Sequence, residues 1–279
     1  MAEAEQPRLD PPAGLTADRN EDKYLLPAAR ARAFTRNLAV LLPPQRSAGG
    51  RIWAEQRVTT VYLDTDARDL YRAAVSTPAH VKVRARAYRD ARSGRPARGS
   101  GVDLAPTNRS LVFVELKIRE GQRSRKRRAC VQQGEVARFF EQLEIAPDAR
   151  DLGPEDRREL DAIGVELRRM RAQLGRLSAS CVVSYRRIAF EQPGAQLRIT
   201  LDRELCAFAP PAALWSSAAP PAHEGAGRPP LEERACIVEV KSRGPLPAWL
   251  DPLLVRHDAI AVEYSKFVAA SRAVHGPIR

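Results

Sequence analysis

The segment from Val81 to Tyr88 reads V-K-V-R-A-R-A-Y, in which apolar and charged residues alternate. Successive side chains of a β-strand point to opposite faces of a sheet, so Lys82, Arg84 and Arg86 are predicted to share one face with Tyr88. Similar alternation recurs in V-E-L-K-I-R, R-I-T-L-D and V-E-V-K further along the chain. The pattern predicts several strands of an antiparallel sheet with one apolar face and one face rich in cations.

This pattern has two interpretations. The ordinary one is a sheet whose polar face is solvated, although such a face usually mixes positive and negative charges more evenly. Alternatively, the strands close into a barrel with the polar faces inward, which makes a basic tunnel with helices packed on its apolar outside. Crowded cations in a cavity repel one another unless a polyanion occupies it, so the second interpretation predicts a phosphate-rich ligand.

Helical spacing and breaker residues organise the rest of the chain. Helices are predicted over 28–42, 135–143, 154–177 with a break at Gly164, and 247–255. Another helix is expected after Ser265, whose hydroxyl is a candidate N-cap, and a short one after Asp66, also a candidate cap. A main domain is expected over residues 21–274, with a flexible N-terminal tail at 1–20, a C-terminal tail at 275–279 and flexible insertions at 90–109 and 209–233.

The charge of the chain narrows the class of partner. The 279 residues include 46 Lys and Arg against 34 Asp and Glu, which gives a net charge of +12. Such an excess fits phosphate chains, nucleotides, nucleic acid or an anionic membrane surface. Nucleic acid is the weaker candidate, because the basic strands carry few interleaved aromatic residues on which bases could stack.

Other features point to a soluble cytoplasmic protein. The four cysteines are far apart and predict free thiols rather than a zinc site or a disulfide framework. No apolar run approaches the ~18 residues of a membrane span. The first residues, M-A-E-A-E-Q-P-R, lack the order of a secretory signal.

Eight short motifs follow one another along the chain: E-D-K-Y-L-L at 21–26, T-V-Y-L-D-T at 60–65, K-V-R-A-R-A-Y at 82–88, F-V-E-L-K at 113–117, Y-R-R-I-A-F at 185–190, R-I-T-L-D at 198–202, V-E-V-K at 238–241 and Y-S-K-F at 264–267. In this order they resemble the VTC domain, the polyphosphate polymerase domain of the vacuolar transporter chaperone complex, which is also found as single-domain bacterial proteins. The resemblance covers about residues 21–274.

The resemblance implies a triphosphate tunnel metalloenzyme of the α+β class, an antiparallel eight-stranded β-barrel with helices packed outside. It implies transfer of the terminal phosphate of ATP to a growing polyphosphate chain. Phosphate binding is then expected of Lys23, Arg84, Arg86, Lys117, Arg187, Arg198, Lys241, Ser265 and Lys266. Glu239 would coordinate Mn2+ or Mg2+, and Tyr185 would lie beside these residues in the tunnel. Strand alternation adds Lys82, Lys126 and Arg128 as weaker candidates.

Some positions leave alternatives open. Glu115 and Asp202 are either second metal ligands or ion-pair partners of nearby cations. The related triphosphatases usually begin with E-x-E-x-K, whereas Arg19 stands here in place of the first carboxylate. That departure favours a polymerase over a triphosphate or polyphosphate hydrolase. A noncatalytic polyphosphate-binding module is the third hypothesis.

Overall fold

The computed structural model of the chain describes residues 20–45, 55–90, 111–121, 123–145, 152–192, 194, 196–211, 214 and 235–277. Residues 1–19 of the predicted N-terminal tail and most of the two predicted insertions lie outside these ranges, whereas Asn20 is the first residue of the first strand. The strands are β1 (Asn20–Pro27), β2 (Gln56–Asp64), β3 (Ala79–Asp90), β4 (Leu111–Glu120), β5 (Arg123–Gln132), β6 (Ser178–Glu191), β7 (Leu197–Phe208), β8 (Ala235–Ser242) and β9 (Ile260–Ala261). The helices are α1 (Ala28–Leu41), α2 (Asp69–Ser76), α3 (Gln133–Gln142), α4 (Pro154–Leu174), α5 (Leu250–Arg256) and α6 (Lys266–His275).

The strands form one antiparallel sheet in the order β5-β4-β3-β2-β6-β7-β8-β1-β9. The predicted α+β class and antiparallel sheet are therefore confirmed. In the described residues the sheet has nine strands rather than eight, because the two residues of β9 pair with β1. The edge strands β5 and β9 do not pair with each other in this part of the chain, so closure into a barrel stays a prediction.

The sheet is strongly curved. Five strands separate β4 from β1 in the sheet order, yet Nζ of Lys117 in β4 lies 3.8 Å from Oε2 of Glu21 in β1. A flat sheet would place strands that far apart at more than 25 Å, because neighbouring strands are spaced by about 4.8 Å. The face on which Lys117 and Glu21 meet is called the concave face below, and the opposite face the convex face.

Helices cover much of the convex face and one end of the concave face. Val114 and Leu116 of β4 pack in one buried cluster with residues of α3 and α4. A second cluster joins α1 and α5 to β7 and β8. At one end of the concave face, the ring of Phe267 in α6 lies 5.0 Å from that of Tyr62 in β2. The apolar sides of the alternating strands are thus the sides that the helices bury.

Most predicted elements are present, with two corrections. The predicted break at Gly164 is wrong, since α4 runs through this residue. The predicted cap at Asp66 is also wrong, because the buried carboxylate of Asp64 accepts the backbone N–H groups of Leu70 and Tyr71 at 2.8 and 3.0 Å. The predicted cap at Ser265 is confirmed, as its hydroxyl accepts the N–H of Val268 at 3.4 Å.

The state of the cysteines and the character of the helices were also predicted from the sequence. All four cysteines are free, and burial raises the pKa of Cys130 and Cys181 to about 12, so these thiols are unreactive near neutral pH. Within the described ranges, no helix has the length and apolar character needed to cross a bilayer.

Candidate functional site

The predicted site residues come from seven strands and from the start of α6, and the curvature of the sheet brings them together on the concave face. Strand register puts Lys82, Lys117 and Lys126 side by side on β3, β4 and β5. In the next row, Glu115 stands between Arg84 and Arg128. Like charges directly opposite each other are unfavourable in a sheet, so the lysine row favours an anion nearby.

Glu115 is the centre of the first group of cations. Its side chain is 1% exposed, and its carboxylate contacts Arg84 Nε at 2.6 Å, Lys126 Nζ at 2.7 Å and Arg128 Nε at 3.3 Å. Burial alone would raise the pKa of Glu115, but Arg84 and Lys126 outweigh it and hold the pKa well below its usual range. Of its two predicted roles, the structure shows the ion pairing. Three cations share one negative charge here.

Asp202 is the centre of the second group. Its side chain is fully buried, accepts from Arg187 Nε and Nη2 at 2.6 and 2.7 Å, and contacts Lys266 Nζ at 2.7 Å. The ring of Tyr185 lies beneath both cations, 5.2 Å from the Arg187 guanidinium and 5.1 Å from Lys266 Nζ. The bidentate bond fixes the plane of the guanidinium and leaves Nη1 for another acceptor.

Glu239 and Glu21 meet at a third group. Lys241 Nζ lies 2.6 Å from Glu239 and 3.1 Å from Glu21, and Glu21 also pairs with Lys23 at 3.2 Å. Arg187 Nη2 lies 3.6 Å from Glu239, which links this group to Asp202. Burial would raise the pKa of Glu239, but Lys241 and Lys266 outweigh it, so the carboxylate is ionised. Two carboxylates from neighbouring strands therefore lie among cations.

The remaining predicted residues lie on the same face but make other contacts. Arg86 is buried and donates from Nε to Thr60 Oγ1 at 3.1 Å. Arg198 donates to Gln45 at 3.0 Å, and Lys82 Nζ donates to Ser265 Oγ at 3.1 Å. The last bond joins β3 to the N-terminus of α6, so the predicted Ser265 and Lys82 are brought together.

Two lysines of the site have weakened basicity. Burial, followed by the charges of Lys117 and Lys23, lowers the pKa of Lys82 to about 8. Burial also lowers the pKa of Lys126 to about 8, although Glu115 acts in the opposite direction. An anionic ligand would raise both values, because it stabilises the ammonium form.

Three further residues of this face, Glu21, Tyr88 and Thr200, were not among the predicted site residues. Glu21 shares its strand face with Lys23, a relation the alternation of β1 could have revealed. Tyr88 adjoins the cations, and Arg86 and Arg128 overcome the effect of burial and lower the pKa of Tyr88 to about 7. Thr200 pairs in register with Glu239, and its buried Oγ1 has no hydrogen-bond partner. Only the folded sheet shows that this hydroxyl lacks a partner.

The carboxylates of the concave face are candidate ligands for a divalent metal. In the part of the chain that the structure describes, no three His, Cys, Asp or Glu side chains are grouped so as to hold a metal alone. Mg2+ often binds through one or two carboxylates together with substrate phosphates. Glu239 and Glu21, with the unpartnered hydroxyl of Thr200 beside Glu239, fit that kind of shared site.

Comparison with solved structures gave weak similarities. A "putative adenylate cyclase" of Bacillus halodurans shares 11% identity over 89% of this chain and 96% of its own, with a TM-score of 0.49. The Schizosaccharomyces pombe Mediator head module shares 13% identity over 86% and 89%, with a TM-score of 0.44. A Pyrococcus horikoshii OT3 protein shares 12% identity over 86% of each chain, with a TM-score of 0.39. These values are too low to carry an argument about function.

The family comparison is more informative. No curated protein matches the chain. The family model of the VTC domain, in contrast, matches residues 18–275, nearly the whole sequence, in agreement with the eight motifs. The chain therefore belongs to the VTC domain family.

Proposed function

We propose that this protein is a metal-dependent polyphosphate polymerase that transfers the terminal phosphate of ATP to a polyphosphate chain. The observation that carries the proposal is the meeting of cations from β1, β3, β4, β5, β6, β7, β8 and α6 on one concave face, with Glu239 among them. Membership of the VTC domain family supports a role in polyphosphate chemistry. We further propose that the curved sheet encloses the phosphates as a tunnel.

The residues suit phosphoryl transfer, which depends on in-line positioning and on neutralisation of charge rather than on covalent help from the protein. In the proposed step, a terminal oxygen of the chain bonds to the γ-phosphorus of ATP, the bond from that phosphorus to the β–γ bridging oxygen breaks, and ADP leaves. The attacking oxygen is already anionic near neutral pH, so no side chain has to remove a proton.

Each group of cations has a place in this scheme. Arg84 and Arg187, held in orientation by Glu115 and Asp202, present forked donors that match phosphate oxygens. Lys266, Lys241 and Lys117 act as point charges. Mn2+ or Mg2+ held by Glu239 and Glu21 would neutralise charge on the transferring phosphoryl group.

Incubation of the purified protein with ATP and Mn2+ or Mg2+ tests the proposal. We expect one molecule of ADP for each phosphate unit added to the polymer. We expect Glu239→Gln to abolish the formation of both products. Glu155→Gln, an exposed carboxylate in the first turn of α4, is the matched control and should keep full activity.

The products separate the alternatives. Orthophosphate as the main product would identify a hydrolase. If neither ADP nor polymer forms while tripolyphosphate still binds to Glu239→Gln with a steep salt dependence, the protein is a noncatalytic binding module, because counterion release rather than metal chemistry drives the binding.

A further inference from the structure

The cations of the concave face continue beyond the lysine row toward one end of the sheet. Arg119 follows Lys117 by two residues in β4 and therefore shares its face, and its register partner in β3 is His80. At about 3.3 Å per residue, Arg119 lies about 13 Å along β4 from Glu115. We call the end of the concave face that is lined by the lysine row and Arg119 the outer end.

The cationic side chains become more exposed toward the outer end. Those of Arg84 and Arg128, which pair with Glu115, are 16% and 17% exposed. In the lysine row, the side chains of Lys117 and Lys126 are 33% and 43% exposed, and Arg119 beyond them is an exposed residue. The cations thus form a line that runs from the buried part of the concave face to solvent.

Helix α6 lies on the β2 side of this line. Phe267 packs against Tyr62 of β2, and Ser265 accepts the hydrogen bond from Lys82 of β3. Strands β4 and β5 follow β3 on the other side in the sheet order, and they carry the exposed cations of the outer end. The opening to solvent is therefore on the β4 and β5 side of α6.

Two cations of the outer end have no carboxylate partner in the described part of the chain. Lys82 donates to the hydroxyl of Ser265, and Nε of Arg119 donates to the backbone oxygen of Gly121 at 3.1 Å. Burial, followed by the positive charge of Lys82, lowers the pKa of His80, and Arg119 adds to this effect. An anion bound at the outer end would relieve the repulsion among these groups.

We propose that the growing polyphosphate chain leaves the concave face at the outer end, where Arg119 binds it. The inference rests on the proposed function, which puts the reacting phosphates at Arg84 and Arg187. Lysines are point charges on flexible stems, so they can hold a chain that advances after each transfer, whereas the guanidinium groups held by Glu115 and Asp202 have a fixed orientation. The nucleoside of ATP then lies toward the opposite end of the concave face.

Binding measurements without ATP or metal test the role of Arg119 in the full chain. Tripolyphosphate is short enough to be held by the inner cations, whereas a long chain also reaches Arg119, so the readout is the ratio of long-chain to tripolyphosphate affinity. For Arg119→Gln we expect this ratio to fall about fivefold, the upper range for an exposed ion pair. The slope of log long-chain affinity against log salt should fall by about 0.7, the value for one phosphate contact of a single strand.

The matched control is Arg36→Gln, which removes the same charge from an exposed position of α1 and should leave the ratio unchanged. A ratio in Arg119→Gln equal to that of this control overturns the proposal of an outer end and leaves the proposed function standing. Absence of binding by both phosphates overturns both proposals.

Chemical labelling of the unaltered protein gives an answer that does not depend on a variant folding. Modification of arginines by phenylglyoxal, followed by mass spectrometry, should be slowed at Arg119 by long-chain polyphosphate, with Arg36 as the unprotected reference. Tripolyphosphate and ATP without metal should not protect Arg119. Protection by ATP but not by the long chain would assign the outer end to the nucleoside and overturn the proposal, as would protection by single-stranded DNA alone.

Discussion

Asp202 in β7, which is fully buried, and Lys266, the first residue of α6, whose side chain is 10% exposed, form an ion pair with 2.7 Å between Oδ2 and Nζ. A cation in the first turn of a helix opposes the helix dipole, so an anion close to Lys266 offsets the unfavourable interaction. The structure supplies one from within the chain. Because Asp202 also binds Arg187, one carboxylate holds two of the predicted phosphate-binding cations.

Asp202→Asn should destabilise the protein and weaken phosphate binding. Removing one partner of a buried ion pair costs about 3–5 kcal/mol, since it leaves an uncompensated charge. We expect the free energy of unfolding, measured with urea at neutral pH, to fall by that amount, and the KM for ATP to rise as Arg187 and Lys266 lose their orientation. Asp258→Asn breaks the exposed pair with Arg30 and should cost less than about 1 kcal/mol.

The same variant has a defined pH dependence. Burial opposes ionisation of Asp202, but Arg187 and Lys266 prevail and lower its pKa. Its contribution to stability is therefore fully present above the unfolded value of about 3.9 and is lost as the pH falls through the folded pKa. The difference between wild type and Asp202→Asn should shrink below about pH 4, and a constant difference across that range would contradict the assignment.

Tyr88 is expected to ionise near neutral pH. Its pKa of about 7 means that the near-ultraviolet phenolate absorbance should show one tyrosine titrating there, a step that Tyr88→Phe removes and Tyr24→Phe retains. The stability contribution of the phenolate is absent below the folded pKa and grows as the pH rises toward the unfolded value of about 10. Tripolyphosphate should move the step to higher pH, because its negative charge disfavours the phenolate. An unmoved step would place the ligand away from Arg86 and Arg128.

Phosphate binding should be accompanied by proton uptake at about pH 8. Lys82 and Lys126 are partly neutral at that pH, and an anion raises their pKa values. Calorimetry in buffers of different ionisation enthalpy measures the number of protons bound. Combining Lys82→Arg with Lys126→Arg keeps both charges but should reduce the uptake to the part that Tyr88 contributes, since arginine stays protonated. An uptake in this double variant as large as that of the wild type would assign it to other groups.

Gly164→Ala should destabilise the protein although alanine favours helices by about 1 kcal/mol. A Cβ at this position would lie 2.5 Å from the backbone oxygen of Leu143, which also accepts a hydrogen bond from Arg168. Such overpacking typically costs about 1–3 kcal/mol, so the urea midpoint should fall. Val165→Ala, at the adjacent position with 58% exposure, reports helix propensity alone. If both variants raise the midpoint equally, α4 does not approach Leu143 this closely.

Gly164 and Asp66 show where sequence reasoning was wrong. Glycine weakens a helix locally, which suggested a break, but at this site it permits the close approach of a carbonyl from another segment. Asp66 is closer in sequence to the start of α2 than Asp64 is, and it was therefore predicted to be the cap. Because Arg68 adopts a left-handed conformation, the turn instead brings the backbone amide of Leu70 to the carboxylate of Asp64. Both outcomes depend on contacts that no local pattern encodes.

The alternation of side chains along each strand determined which residues share the cationic face, because a period of two is fixed by the backbone of a strand and not by its neighbours. The order of the strands, the curvature that brings Lys117 to Glu21, and the pairing of Glu115 and Asp202 with particular cations were decided only by the tertiary structure. These relations join residues far apart in the chain. Burial also shifts the pKa values of these groups and strengthens the interactions between their charges. Burial is a property of the packed fold rather than of any single segment.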